Sequence, residues 1–427
     1  MSKFNNFFTE NIKSFFNDTI TYALVNIINK SIPFLLLPIL IRLIDKSDYG
    51  FYSLFVTTEN FLLPIISLNL YAALSKHYYL KIDLSKYIST ILNFSLIILF
   101  LILFLVICIP TSFIILSGFT KSIVFVVIIN SSILGIYNLV KSLFRLQRKP
   151  RHYGIYTIIF SFTLLSCLLI FGYFWRNSEM LIFGRFLCYM ILLIVSIILL
   201  MKLKLMSFKF NFYMLKRILK FSIPTIIFSF SAIIFTSSDR FFIQHFLGLE
   251  SVGTYTAIFQ ISSIVTMIGI SLNAAWIPWL FENLNKKNKV VNGDVVRLTY
   301  VLTVCFLLFG IIFSLIFPTL ASFVLTEDYM SDLNIAYPLI FGFIFQGLYF
   351  LYSPYIFYTE NTMSNGIMGL ITAIINIIMN IILIPIYGII GAAYSSMACW
   401  IILTVMAIYL SNKFYKMPWF NFHKINL

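Results

Sequence analysis

Charge is scarce in this sequence, and acid is scarcer than base. Of 427 residues only 11% are Asp, Glu, Lys or Arg, with 15 acids against 30 bases. A soluble domain carries about 25% charged residues, so there is too little polar surface to cover a water-soluble globule of this length. Catalytic signatures are missing as well. No P-loop, G-x-S-x-G or H-E-x-x-H occurs, which removes the usual sequence marks of nucleotide, acyl-transfer and zinc-protease chemistry. The four histidines (His77, His152, His245, His423) fall at span ends or in loops. The five cysteines (Cys108, Cys167, Cys188, Cys305, Cys399) lie inside apolar stretches with no C-x-x-C. They read as small packing residues, not as disulfides, metal ligands or nucleophiles. No A-x-A cleavage pattern follows the amphipathic residues 1–18, so no signal peptide is expected. Ala is sparse while Phe reaches 47, a bias expected of AT-rich coding, which weakens any argument from a single Phe or Asn.

Apolar residues fill the chain instead, at 60%. A membrane-crossing helix needs about 20 mostly apolar residues. Runs of that length recur near 19–41, 49–74, 88–109, 121–143, 153–174, 180–201, 221–247, 253–280, 298–317, 334–357, 364–384 and 388–410. The expected fold is therefore all-α, a polytopic membrane protein of about twelve transmembrane helices. Kinks are expected at Pro64 and Pro354 in the second and tenth spans.

With the N-terminus placed in the cytoplasm, the cytoplasmic ends and loops collect 23 Lys/Arg. The other side collects six, namely Arg42, Lys46, Lys121, Arg176, Arg185 and Arg240, and Lys30 stays inside the first span. Such a bias is what the positive-inside rule demands, and it supports both the helix count and cytoplasmic placement of both termini. Most of the +15 net charge is then an orientation signal beside anionic lipid, and no nucleic-acid partner is needed.

The chain also repeats itself. Gly50-Phe51-Tyr52 followed by Ser67-Leu68-Asn69 in the second span matches Gly253-Thr254-Tyr255 followed by Ser271-Leu272-Asn273 in the eighth. Gly154 and Gly366 open the fifth and eleventh spans, Gly184 and Gly391 the sixth and twelfth. Two six-helix halves in the same orientation, 1–210 and 211–427, are expected to join at the long basic loop 202–220. Transporters built from such parallel repeats carry substrate between the halves.

Several motifs, in order along almost the whole chain, resemble those of the polysaccharide-transporter (Wzx-type) flippases. They are Leu37-Pro38 with Asp48-Tyr49-Gly50, Asp239-Arg240, Tyr329 with Ala336-Tyr337-Pro338 and Gly347-Leu348-Tyr349, then Thr362, Ser364, Asn376, Asn380 and the run from Ile384 to Ala393. The resemblance implies membership of the multidrug/oligosaccharidyl-lipid/polysaccharide exporter superfamily and a V shape of two lobes. It implies movement of an undecaprenyl-diphosphate-linked oligosaccharide, such as an O-antigen repeat unit, from the inner to the outer leaflet of a bacterial inner membrane. Lipid-linked oligosaccharide and membrane lipids would be its partners, with polymerase and chain-length machinery as further candidates. No cofactor or metal is expected, and H+ or Na+ coupling is the candidate energy source.

Ionisable side chains at membrane depth are candidates for the substrate path. Lys30 falls about 20 Å and Glu59 roughly 15 Å from the outer end of their spans, at 1.5 Å per residue, so Glu59 is expected to hold Lys30 in place as a cation for the diphosphate. Asn26 stands one turn from Lys30 on the same face, and Arg42 ends that span. Asp239-Arg240 is expected about 12 Å inside the seventh span, with the two side chains about 100° apart. Arg240 would face the path and Asp239 the opposite lobe. Asn376 and Asn380, with Thr372 a turn earlier, form a polar stripe whose more ordinary reading is interhelical hydrogen bonding.

Two other functions fit less well. A cation-coupled drug exporter of the same superfamily would need a carboxylate inside an N-terminal helix, and the first span carries Lys30 with no acid beyond Asp18 at its edge. An O-antigen polymerase would need an arginine-bearing outer loop, yet 318–333 holds Glu327, Asp328 and Asp332 with no Lys or Arg.

Overall fold

The computed structural model describes residues 25, 28, 29, 31–78, 83–111, 118–207, 210–286 and 289–419. Asn26 and Lys30 lie outside the described residues, so the expected Lys30–Glu59 pair does too. Among the described residues the chain is helical with no strand. In hydrocarbon every backbone N–H and C=O must be satisfied within the segment, and helices do this.

Helix α1 covers Ser31–Leu43, and α2 covers Lys46–Ile66. Ten long apolar helical stretches follow. They are α4 (Leu84–Cys108), α5 (Lys121–Leu146), α6 (Pro150–Trp175), α7 (Ser178–Lys202), α8 (Phe212–Ser237), α10 and α11 together (Leu249–Ser262, Ile264–Asn285), α12 (Lys289–Val324), α14 (Ala336–Tyr358), α15 (Thr362–Tyr387) and α16 (Ile389–Phe414). Short helices α3 (Leu70–His77), α9 (Asp239–Leu247) and α13 (Glu327–Met330) complete the order. With α1 and α2 the count of spans reaches twelve. Thr57-Thr58-Glu59-Asn60 makes α2 the least apolar of these long helices.

Three spans depart from the sequence expectation. The second runs through Pro64 unbroken and then breaks at Leu68 and Asn69, whose φ angles of 44° and 49° are left-handed. Asn69 tolerates that conformation because its short amide finds local and tertiary partners. Its Nδ2 donates to the Thr225 carbonyl at 3.2 Å and to Ser229 Oγ at 2.9 Å. The seventh span breaks at Ser238, which separates α8 from α9 and donates to Asn376 Oδ1 at 3.0 Å. The ninth, expected over 298–317, forms a helix of 36 residues. Its extra turns carry the Asp294–Arg297 pair at the polar end. Helix α14 continues through Pro354 without a break.

The chain divides into two compact units, residues 1–44 with 52–230, and residues 45–51 with 231–427. The division falls inside α8 at Phe230/Ser231, twenty residues beyond the expected 210/211 boundary. The basic loop itself is pinned to the first unit. Ser89 Oγ donates to the Leu205 carbonyl at 3.2 Å, and Ser207 N donates back to Ser89 Oγ at 2.7 Å. Ile218 then enters the first unit's core beside Ile88, Val140, Leu143 and Cys188. Within each unit one helix is most enclosed, α5 in the first and α14 in the second. Helix α4 is the opposite case. Phe100 and Phe104 stand 68% and 64% exposed, as expected of a helix whose neighbour is lipid.

Candidate functional site: a buried ion pair in each unit

The first unit gathers its charge around Glu59. The carboxyl is 1% exposed, on the polar face of α2. It accepts from Asn130 Nδ2 on α5 at 2.7 Å and from Arg185 Nε on α7 at 2.7 Å. Arg185 also donates from Nη1 to the Tyr52 hydroxyl at 3.3 Å and from Nη2 to the Tyr189 hydroxyl at 3.1 Å. Its guanidinium carbon lies 5.3 Å from the Tyr189 ring centroid. Ser131 Oγ caps the arrangement by donating to the Glu59 carbonyl at 3.1 Å. Three helices are thereby tied by one charge-assisted network, in a setting where an unpaired charge would cost several kcal/mol.

Arg185 is the residue that the sequence missed. The side count placed it at the outer end of the sixth span. The structure places it seven residues into α7, about 10 Å along the helix axis, and turned inward. A guanidinium has five N–H donors. Three are engaged here, and two have no partner among the described residues. The available signal was Glu59 itself, because a buried acid requires a cation, and Arg185 falls within the expected sixth span, 180–201, as a further candidate beside Lys30.

The second unit holds Asp239 and Arg240 at the first turn of α9, both buried. The expectation that they point to different partners is corrected. Arg240 Nη1 lies 3.2 Å from Asp239 Oδ1, and the same oxygen accepts the Arg240 backbone N–H at 2.9 Å. The long arginine side chain folds back onto the carboxylate of the residue before it. Asp239 Oδ2 accepts from the Tyr255 hydroxyl, within the same unit. Arg240 is sandwiched against aromatic rings, 4.6 Å from the Phe259 centroid and 5.8 Å from Tyr255, an arrangement that suits a weakly hydrated guanidinium.

Asn376 and Asn380 on α15 are buried and tie helices together. Asn380 Nδ2 donates to Asn376 Oδ1 at 3.0 Å, and Asn376 Nδ2 donates to Ser395 Oγ on α16 at 3.2 Å. With Ser238 on the same Oδ1, this stripe fixes the α8–α9 break against α15. Arg42 lies elsewhere, exposed at the end of α1, where Nη1 donates to the Pro38 carbonyl one turn back at 2.8 Å.

Tyr52 and Tyr255 occupy corresponding places in the Gly-x-Tyr repeat, and each bonds to one member of its unit's ion pair. A family model described as "Polysaccharide biosynthesis protein" matches residues 15–284. The chain belongs to that family. A Haemophilus influenzae relative, Lsg locus protein 1, is 27% identical over 288 residues, covering 65% of this chain and 68% of that one. Among solved structures, an inward-facing multidrug resistance MATE family transporter of the MOP superfamily aligns with a TM-score of 0.73 at 13% identity, covering 92% of this chain and 97% of that one. The lipid II flippase MurJ in an inward closed conformation aligns with a TM-score of 0.69 at 17% identity, covering 92% and 87%. These likenesses show that the chain shares the fold of both transporters.

Proposed function

We propose that this protein flips an undecaprenyl-diphosphate-linked oligosaccharide, an O-antigen or related repeat unit, across the bacterial inner membrane. The observation that carries the reading is the state of its intramembrane acids. Among the described residues, the two carboxylates well inside membrane-spanning stretches are Glu59 and Asp239, and each is matched by an arginine. A cation-coupled exporter of drugs needs an acid free to take up its ion, and here both acids are already neutralised. Arg185 by contrast keeps spare donors, which suits an anionic diphosphate.

The physical task fits a transporter of this kind. The polyprenyl tail can stay in lipid, whereas sugars and phosphates cannot enter hydrocarbon without hydrogen-bonding partners. On this reading both termini face the cytoplasm, the halves 1–210 and 211–427 act as the repeat units, and the chain performs no covalent chemistry. Lys30, Asn26, Arg42, Glu59, Asp239, Arg240, Asn376 and Asn380 are the proposed substrate-path residues, and Arg185 joins them.

The test is deletion of the gene followed by analysis of lipid-linked oligosaccharides. A repeat unit should accumulate on the cytoplasmic leaflet, and flipping should return in proteoliposomes holding the purified protein. Drug sensitivity with normal oligosaccharide turnover would overturn the proposal in favour of an exporter.

A further inference from the structure

Residues 202–220 run from the end of α7 into the first turns of α8 with the sequence KLKLMSFKFNFYMLKRILK, which holds six Lys/Arg and no acid. Its inner side is fixed. Leu205, Leu215 and Ile218 are buried, Ser89 ties Leu205 and Ser207, and Asn211 Oδ1 caps the first turn of α8 by accepting from Met214 N at 3.0 Å. Despite that order, the segment presents large apolar side chains outward. Phe212 is 73% and Tyr213 79% exposed, with Met206 and Phe210 also exposed. Lys202, Lys204, Lys216, Arg217 and Lys220 are exposed among them. On α8 the spacing puts Phe212, Lys216 and Lys220 on one face, four residues apart, with Tyr213 and Arg217 beside them.

We infer that the described residues of this segment, 202–207 and 210–220, form a strap lying in the membrane interface that binds anionic phospholipid headgroups. A pinned segment with exposed aromatics gains by burying them at the acyl boundary, and its cations then sit at phosphate level. Ser89 on α4 holds the linker at Leu205 and Ser207 against the first unit. Charge of a single sign selects anionic over zwitterionic headgroups. The inference is independent of the substrate proposed above.

The experiment uses the full-length protein carrying Tyr213→Trp in phosphatidylcholine vesicles that contain a minor fraction of brominated phosphatidylglycerol or, separately, brominated phosphatidylcholine. The parent protein's signal is subtracted to remove its own tryptophans. Quenching should be stronger with brominated phosphatidylglycerol. The excess should fall about fivefold for each charge removed, so K216Q/R217Q/K220Q should abolish it while bilayer quenching persists. Raised salt should weaken it in the same way. Equal quenching by the two lipids would overturn the inference, as would quenching by aqueous iodide with none by bromolipid. Loss of the phosphatidylglycerol effect on adding trace undecaprenyl diphosphate would also overturn it, by assigning the strap to that lipid.

Discussion

Gly50 and Gly253 cross at their backbones in a reciprocal contact. A Cβ on Gly50 would overlap the Leu249 carbonyl and lie 2.9 Å from Gly253 N. A Cβ on Gly253 would overlap the Lys46 carbonyl and lie 3.3 Å from Gly50 N. Each glycine meets the residue four before the other, which is the pattern of a twofold contact, and the two are the corresponding glycines of the sequence repeat. Both belong to the second unit, where Lys46 Nζ also donates to the Asp328 carbonyl and lies 5.1 Å from the Tyr329 ring centroid.

Gly50→Ala and Gly253→Ala should therefore each force α2 and α10 apart, at an overpacking cost of about 1–3 kcal/mol. Thermal unfolding in detergent should show both variants less stable than the parent by similar amounts. A variant with unchanged stability at either position would mean the crossing is looser than described. Gly369→Ala is the control, because a Cβ there meets nothing within 4 Å.

Arg185→Ala leaves Glu59 buried without its cation, and a loss of about 3–5 kcal/mol is expected. Less protein should be recovered from the membrane. Glu59→Gln combined with Arg185→Met removes both charges and should restore the amount of protein without restoring flipping. Recovery of both amount and flipping by the double variant would reduce the pair to a structural role. Arg185→Lys should retain insertion and lose part of the activity, because an ammonium cannot hold Glu59, Tyr52 and Tyr189 in one planar fork.

Tyr255→Phe removes one donor from Asp239, and a buried acceptor left short costs about 1–3 kcal/mol. Phe259→Ala takes away the ring under Arg240 and should act on the same network. A double-mutant cycle measured by thermal unfolding should find the two effects non-additive. Strict additivity would show that Tyr255 and Phe259 do not share a partner in Arg240.

Topology is open to direct test. Reporter fusions after residues 213, 288 and 420 should read cytoplasmic, and fusions after 115 and 328 should read on the opposite side. A periplasmic reading at 288 would break the pairing of spans in the two halves.

Much of this was legible in the sequence, for definable reasons. Eleven of the expected span centres coincide with described helices because hydrocarbon imposes a length and an apolarity that no other environment demands. The Gly50 and Gly253 motifs were visible because a close backbone crossing admits only one residue type. The helix breaks were less legible. Pro64 signals a kink, yet the chain turns at Leu68 and Asn69, where partners on α8 fix the left-handed conformation.

Composition and hydropathy by themselves determined that the chain is an all-helical membrane protein, and the Lys/Arg bias set its expected orientation. They also marked Glu59 and Asp239-Arg240 as the charges that needed explanation. Only the tertiary structure decided the partners. Glu59 pairs with Arg185, 126 residues away, and Asp239 with its own neighbour and Tyr255. Periodicity gives depth and face along one helix, but a side-chain pair across helices depends on how those helices pack, and that information is distributed over the apolar contacts of the whole unit.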